Sequence, residues 1–242
     1  MKALILAAGR GKRLRPTTDL INKCMLEVNG KPLIEYNLDH AIEIDEIDEI
    51  IIVVGYRAED IINKYGINYK GKKIRYVIQQ EQKGVVHAIE CAKKAIGKED
   101  FFLMLGDEIF INSRHKEMVK KFIGENLFGL CGVLIQKDKK KISKTYSVLL
   151  DNNYRILKLI EKPKDPFNDW QGTGHCIFKN EILQYLEKTP INAERGEREL
   201  VDLIQCAIDD GKEVKIFDIC DNFINVNSDE DLKEAKEALL KR

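Results

Sequence analysis

Short apolar runs without a polar break, separated by stretches of helical periodicity, recur along this chain, and that alternation restricts it to few folds. Ala3–Leu6, Ile50–Val54 and Phe101–Leu105 contain no polar residue. A strand with one face in water alternates apolar with polar side chains, so these runs predict strands covered on both faces. Between them, Ile34, Leu38, Ala41 and Ile42, and later Val85, Ile89, Ala92 and Ile96, recur at helical spacing. Ile61 and Ile62 mark a further helix, and residues 74–78 a further strand. Strand-helix-strand alternation of this kind predicts a parallel sheet with helices packed on it.

The second half is less regular. Runs at 127–135, 145–150, 154–160 and 173–178 are strand candidates with few helices between them, which predicts a mixed sheet or an antiparallel flap. Leu200, Leu203, Ile204 and Ala207 mark a helix, and 213–218 another strand. The last helix is expected over 229–242, where Ser228 and Asp231 form a capping signal ahead of Leu232, Ala235 and Leu239. With no repeat and no Pro/Gly/Ser linker, the expectation is a single α/β domain over 1–242. Its sheet is mixed but mostly parallel, and a substrate-facing insertion lies in the C-terminal half.

Charge narrows the partners. Forty basic and forty acidic side chains cancel, so no overall field draws the chain to nucleic acid or to an anionic membrane, and neither partner is expected. The cysteines at 24, 91, 131, 176, 206 and 220 form no C-x-x-C pair, so zinc and dithiol chemistry find no support and a reducing compartment is expected. The apolar run Ala3–Ala8 ends at Arg10, too short for a secretory signal, and no stretch reaches membrane-spanning length. These features predict a cytoplasmic protein and leave homo-oligomerisation open.

The loop after the first strand, Leu6-Ala7-Ala8-Gly9-Arg10-Gly11-Lys12-Arg13-Leu14-Arg15-Pro16, is rich in small residues that let backbone approach a ligand closely. Arg13 and, further on, Lys23 would supply fixed positive charge against a triphosphate. It is not a Walker loop, because Gly11-Lys12 is followed by Arg13 and not by Ser or Thr. Nor is it the dinucleotide fingerprint, whose third glycine is replaced by Leu14.

M-K-A-L-I-L-A-A-G-R-G-K-R-L-R-P-T-T, followed by Lys23 and by Gly30-Lys31-Pro32-Leu33-Ile34, resembles the signature of the sugar-phosphate nucleotidyltransferases, or nucleotide-sugar pyrophosphorylases. The resemblance runs over nearly the whole chain. It implies a Rossmann-like three-layer α/β/α fold, with an NTP-binding part over about 1–110 and an acceptor-binding part over about 111–228. It further implies that Leu6, Ala7, Ala8, Gly9, Gly11, Lys12 and Arg13 surround the NTP phosphates, with Arg13 and Lys23 contacting the triphosphate. Lys12 stands where the family usually has threonine, Cys24 where it has proline or glutamine, and Glu27 where it has a second proline.

Gln79 through Ala88, Q-Q-E-Q-K-G-V-V-H-A, resembles the family's base-binding segment and implies roles for Gln79 and Gly84. A glutamine amide matches the edge of a pyrimidine, which favours uracil or thymine. His87 reads as a helix-surface or packing residue. Leu105-Gly106-Asp107 ends a buried strand, where α/β proteins display ligand-binding groups. It resembles the family's LGD element, whose aspartate binds Mg²⁺. The second metal carboxylate of the family is replaced by Asn225, and Asn227 is the nearest alternative. Glu161-Lys162-Pro163 resembles the family's EKP element, implying a glutamate on sugar hydroxyls and a lysine on the acceptor phosphate. Thr173-Gly174 resembles the pair lining the sugar pocket, whereas His175, Cys176 and Ser147 depart from the family. Arg195 through Asp202, R-G-E-R-E-L-V-D, resembles a segment of the sugar 1-phosphate branch.

The resulting expectation is a Mg²⁺-dependent transferase that moves a nucleoside monophosphate from UTP or dTTP to a sugar 1-phosphate, releasing pyrophosphate. Arg13, Lys23 and Asp107 are its catalytic candidates. Two alternatives stay open at this stage: a CTP-dependent cytidylyltransferase acting on phosphocholine or a similar compound, and a nucleotide-binding regulatory subunit without catalysis.

Overall fold

The computed structural model describes residues 1–240. Its first half runs β1 (Lys2–Ala7), α1 (Thr17–Leu20), β2 (Glu27–Val28), β3 (Lys31–Pro32), α2 (Leu33–Glu43), β4 (Glu49–Val54), α3 (Ala58–Tyr65), β5 (Asn68–Tyr69), β6 (Lys72–Ile78), α4 (Gly84–Ile96) and β7 (Phe101–Leu105). The second half runs β8 (Glu108–Ile111), α5 (His115–Gly124), β9 (Gly129–Ile135), α6 (Lys139–Ile142), β10 (Tyr146–Leu150), β11 (Ile156–Glu161), β12 (Trp170–Phe178), α7 (Leu200–Asp209), β13 (Val214–Asp218), β14 (Asn222–Asn225) and α8 (Asp229–Leu240). Eight strands form one sheet in the order β13-β9-β12-β7-β1-β4-β6-β5. Here β12 and the edge strand β5 run antiparallel to their neighbours, and the remaining pairs are parallel. The expected mixed, mostly parallel sheet is what forms.

The unbroken apolar runs are explained by two cores. Ala3, Ile5 and Ala7 of β1 join Ile50, Ile52 and Val54 of β4 under α2, α3 and α5. The intervening Leu4, Leu6, Ile51 and Val53 pack on the opposite side against α4 and α7. Since successive strand side chains point to opposite faces, covering both faces demands an apolar residue at every position. Each Leu or Ile so buried contributes about 1.5–3 kcal/mol, which concentrates cohesion in β1, β4 and β7.

The chain leaves β1 towards β4 and β6 on one side, then returns to β7 on the other. The loops following β1 and β7 therefore diverge from adjacent strand ends and leave a crevice, the usual ligand position in such sheets. Gly106 closes the pair by donating its N–H to Leu6 O at 2.9 Å.

Three parts of the second half were not foreshadowed. Helix α5 buries Met118, Val119 and Phe122 on one face. Strands β8 and β14 pair antiparallel outside the main sheet and set Glu108 opposite Asn225. A third, small core of Leu14, Leu26, Val28, Leu33, Ile109, Ile224, Val226 and Ala235 ties this ribbon to the glycine loop and to α8. The anticipated cap of α8 is present, with Asp231 N–H donating to Ser228 Oγ at 3.2 Å. Of the helix expected over 229–242, residues 241–242 lie outside the described residues.

The anticipated antiparallel flap is the β10–β11 hairpin, with Val148, Ile156 and Leu159 buried in the same core as α7. Its seat on β12 depends on Gly172, where a Cβ would run into the Tyr146 ring. Gly172→Ala is therefore expected to displace the hairpin and to lower stability by about 1–3 kcal/mol, measured by chemical denaturation.

Candidate active site

The glycine loop is held in shape by local chemistry. Gly11 adopts φ +62°, where a Cβ would lie 3.0 Å from both Lys23 Cβ and Thr18 Cγ2. Its carbonyl accepts the Leu14 N–H and the Thr18 hydroxyl, each at 2.9 Å. The tight turn Lys12–Leu14 then anchors Leu14 in the small core and leaves the Lys12 and Arg13 side chains in solvent. Between this loop and the end of β7 lies a hollow of about 200 Å³, walled by Leu6, Ala7, Gly9, Gly11, Lys12 and Arg13 on one side and Lys23, Asp107 and Asn227 on the other. The dimensions and donors of this hollow suit phosphate groups.

Lys23 is 7% exposed. Its ammonium donates to Asp107 and, at 2.8 Å, to Asn227 Oδ1, which also accepts Arg13 Nη2 at 2.7 Å. Asn22, fully buried, fixes the backbone beside it. Its amide donates to Ala7 O at 3.1 Å and Tyr56 O at 2.8 Å, and its oxygen accepts the Cys24 N–H at 2.8 Å. Cys24 shares this wall, but burial and then Asp107 push its thiol up, so it is no nucleophile at neutral pH.

The hollow opens into a cleft of about 550 Å³ that shares Arg13, Asp107 and Asn227 and has Thr145, Lys162, Gln171 and Asn225 on its other walls. Lys162 sits at φ +44°, a strained conformation for a non-glycine residue. Its N–H donates to Thr145 O at 2.6 Å, and its ammonium lies 3.5 Å from Glu161. Arg195 reaches Glu161 at 3.2 Å and Glu199 at 2.8 Å, tying the R-G-E-R-E segment to the end of β11. Burial pushes the Glu161 carboxyl up, against the pull of Lys162 and Arg195.

Thus Arg13, Lys23, Asp107, Asn225, Asn227 and Lys162 surround one continuous space, whereas Glu161, beside Lys162, is not among its walls. Other candidates sit differently. The Thr173 hydroxyl is turned into the core, donating to Gly132 O at 2.9 Å. Gly174 gives its N–H to Glu108 at 3.0 and 3.1 Å. Gln79, at the end of β6, donates from its amide to Gly84 O at 3.1 Å and meets His87 Nδ1 at 3.0 Å. Both Gln79 and Gly84 lie apart from the walls of the two hollows, and Glu197 packs against Gly84. His87 is therefore the packing partner of Gln79.

Three polar residues central to this arrangement escaped the sequence signals: Asn22, Asn37 and Glu108. The Asn37 amide donates to Leu105 O and Glu108 O, each at 3.1 Å, and spans the turn that carries Asp107. Glu108 is 1% exposed. Burial and then Asp107 push its carboxyl well above the usual range, with the Gly174 amide opposing. A polar side chain at the cap of a short turn was the available signal for Asn22. Nothing local marks the other two.

A divalent cation fits the donors present. Asp107 and Asn227 offer oxygen, and in the structure their oxygens already converge on one cation, the Lys23 ammonium. Oxygen-only donors and few protein ligands are what Mg²⁺ takes when phosphates complete its shell. No cluster of three or more His, Cys, Asp or Glu able to hold a metal exists among the described residues.

Comparison with known proteins agrees with this architecture. The family model "Nucleotidyl transferase" matches residues 2–241. A UTP–glucose-1-phosphate uridylyltransferase, AglF of Haloferax volcanii, is 35% identical over 99% of this chain and 96% of that protein. The bifunctional protein GlmU of Methanocaldococcus jannaschii is 32% identical over 99% of the chain, which spans 54% of that longer protein. A glucose-1-phosphate thymidylyltransferase of Streptomyces griseus is 31% identical over 89% of the chain and 59% of that protein. Among solved structures, a UDP-glucose pyrophosphorylase complexed with UDP-glucose superposes with TM-score 0.88 at 24% identity over 99% of this chain and 98% of that one, a likeness of fold. From a family match spanning almost every residue and a full-length relative at 35% identity, the chain belongs to the sugar-phosphate nucleotidyltransferases of the nucleotidyl transferase family.

Proposed function

We propose that this enzyme transfers UMP or dTMP from the corresponding triphosphate to a sugar 1-phosphate and releases pyrophosphate. The observation that carries the reading is the continuity of the two hollows. The glycine-loop hollow and the larger cleft share Arg13, Asp107 and Asn227, and Lys162 stands on the wall of the cleft. A triphosphate against the loop and an acceptor phosphate at Lys162 would meet across that shared wall. The relatives, a UTP–glucose-1-phosphate uridylyltransferase and a glucose-1-phosphate thymidylyltransferase, support the same substrates.

The acceptor's phosphate oxygen is already anionic, so no general base is needed. It attacks the α-phosphorus, a new P–O bond forms, and the α–β bond breaks with its electron pair leaving on pyrophosphate. Catalysis then reduces to alignment and charge neutralisation. Arg13 and Lys23 face the phosphates, Lys162 holds the attacking group, and Glu161 accepts sugar hydroxyls. Asp107, with the Asn225 and Asn227 amide oxygens, would hold Mg²⁺, which when bound withdraws charge from the phosphates. The Gly11 turn keeps Lys23 and the loop backbone in register.

Pyrophosphate release, measured over UTP, dTTP and CTP with glucose 1-phosphate, other sugar 1-phosphates and phosphocholine, tests this reading. Turnover with UTP or dTTP and a sugar 1-phosphate is expected. Turnover confined to CTP with phosphocholine, or nucleotide binding with no turnover at all, would refute it. Asp107→Ala is expected to lower kcat by about 10²–10³-fold while the protein stays folded. Gly11→Ala, which forces a side chain into a left-handed turn, should cost about 1–2 kcal/mol of stability and raise KM for the NTP more than for the acceptor.

A further inference from the structure

Asn22 immediately precedes Lys23 and is fully buried. Its amide nitrogen donates to Ala7 O at the end of β1 and to Tyr56 O after β4, and its Oδ1 accepts the Cys24 N–H. Its carbonyl accepts the Met25 N–H at 2.9 Å, which closes the tight turn Lys23–Met25. The remaining polar group, the Asn22 N–H, donates to Asp60 Oδ2 at 2.7 Å. The other partners are backbone atoms, so among the described residues Asp60 is the only side chain that bonds Asn22.

Asp60 is itself held from two sides. Helix α3 seats on the core through Ile61 and Tyr65, which are buried. Arg57, in the left-handed conformation at φ +51°, forks onto the carboxylate, with Nε 2.8 Å from Oδ2 and Nη2 3.0 Å from Oδ1. Those bonds hold the Asp60 carboxyl below its usual range against the effect of burial, and the Asn22 N–H adds to them. The carboxylate is therefore ionised at neutral pH, and its bond to the buried N–H is charge-assisted. Without that bond the N–H loses its acceptor, and the backbone that carries Lys23 must shift to find another.

We propose that Asp60 is a positioning residue for Lys23 and, through it, for the triphosphate. The carboxylate fixes Asn22, Asn22 fixes the turn, and the turn delivers the Lys23 ammonium between Asp107 and Asn227. A buried ammonium tolerates little displacement from its acceptors, so movement of the turn reaches the phosphate-binding wall directly. Arg57 steadies the carboxylate and is dispensable to the link.

The proposal rests on the triphosphate reading above, and the test separates the two. UTP affinity is measured by calorimetry on the full chain as wild type, Asp60→Ala, Asp60→Asn, Lys23→Ala, and Lys23→Ala combined with Asp60→Ala. The amide introduced by Asp60→Asn keeps an oxygen for the Asn22 N–H, which can only donate, and gives up part of the Arg57 fork. Asp60→Ala is expected to bind UTP about tenfold more weakly than wild type, and Asp60→Asn to stay within about threefold. In the Lys23→Ala background, adding Asp60→Ala is expected to cost less than about twofold, because the group that Asp60 places is gone.

Wild-type affinity in Asp60→Ala would overturn the proposal. So would equal losses in both backgrounds, which mark a general loss of structure, or an Asp60→Asn protein as weak as Asp60→Ala. Should Asp60→Ala not fold, Asp60→Ser replaces it, with a hydroxyl too short to reach the Asn22 N–H. If wild type binds neither UTP nor dTTP, the triphosphate reading falls, and amide hydrogen exchange over residues 22–26 of the nucleotide-free proteins decides the link. Faster exchange there in Asp60→Ala, with protection kept in Asp60→Asn, upholds it, and equal protection in all of them sinks it.

Discussion

An ammonium withdrawn from water persists only among acceptors, because an unpaired buried charge costs several kcal/mol. Lys23 meets that condition through Asp107 and Asn227, which come from separate parts of the chain. Its position follows from three prior constraints. Asn22 pins its backbone to the end of β1, the parallel β1–β7 pairing brings Asp107 alongside, and the β8–β14 ribbon carries Asn227 over the top. The cation site is therefore a consequence of how three elements meet, and displacing one of them removes a partner from a buried charge.

The switch in strand order makes that meeting useful. Loops after β1 and β7 leave neighbouring strand ends in different directions, so the space between them is not filled by a crossover. Glycine at 11 lets the backbone turn sharply beside Lys23, and glycine at 106 lets β7 end within hydrogen-bond reach of Leu6. The hollow is polar because its walls are strand ends and loops, whereas a few residues deeper the same strands are wholly apolar.

This division explains what could be read from the sequence. β1, β4 and β7 announce themselves because burial on two faces demands apolar residues throughout. Arg13, Lys23 and Asp107 are legible because each sits at a fixed step from a strand end inside a motif. Helix α5 was not legible, since Met118, Val119 and Phe122 are the only apolar residues on its buried face and Lys116, Lys120 and Lys121 dilute it. Strands β8 and β14 span four residues each, too few for a period to show. Glu108 carries no local mark, because its burial comes from β12 and β14, far away in sequence. Thr173 illustrates the converse. Its motif was visible, but whether its hydroxyl faces a ligand or Gly132 is settled by tertiary packing alone.

Glu108 sits between a neutral core and a ribbon of amide donors. His175 Nε2 lies 3.8 Å from its carboxylate, and His175 Nδ1 meets His115 Nε2 at 2.9 Å. Burial holds both imidazoles well below their usual range, so they are neutral and bring no positive charge to the carboxylate. The donors that reach Glu108 come from the other side, from the Gly174 N–H and the Asn225 amide. An amide at 225 serves both neighbours at once, its oxygen accepting the Asn227 N–H and its nitrogen donating to Glu108.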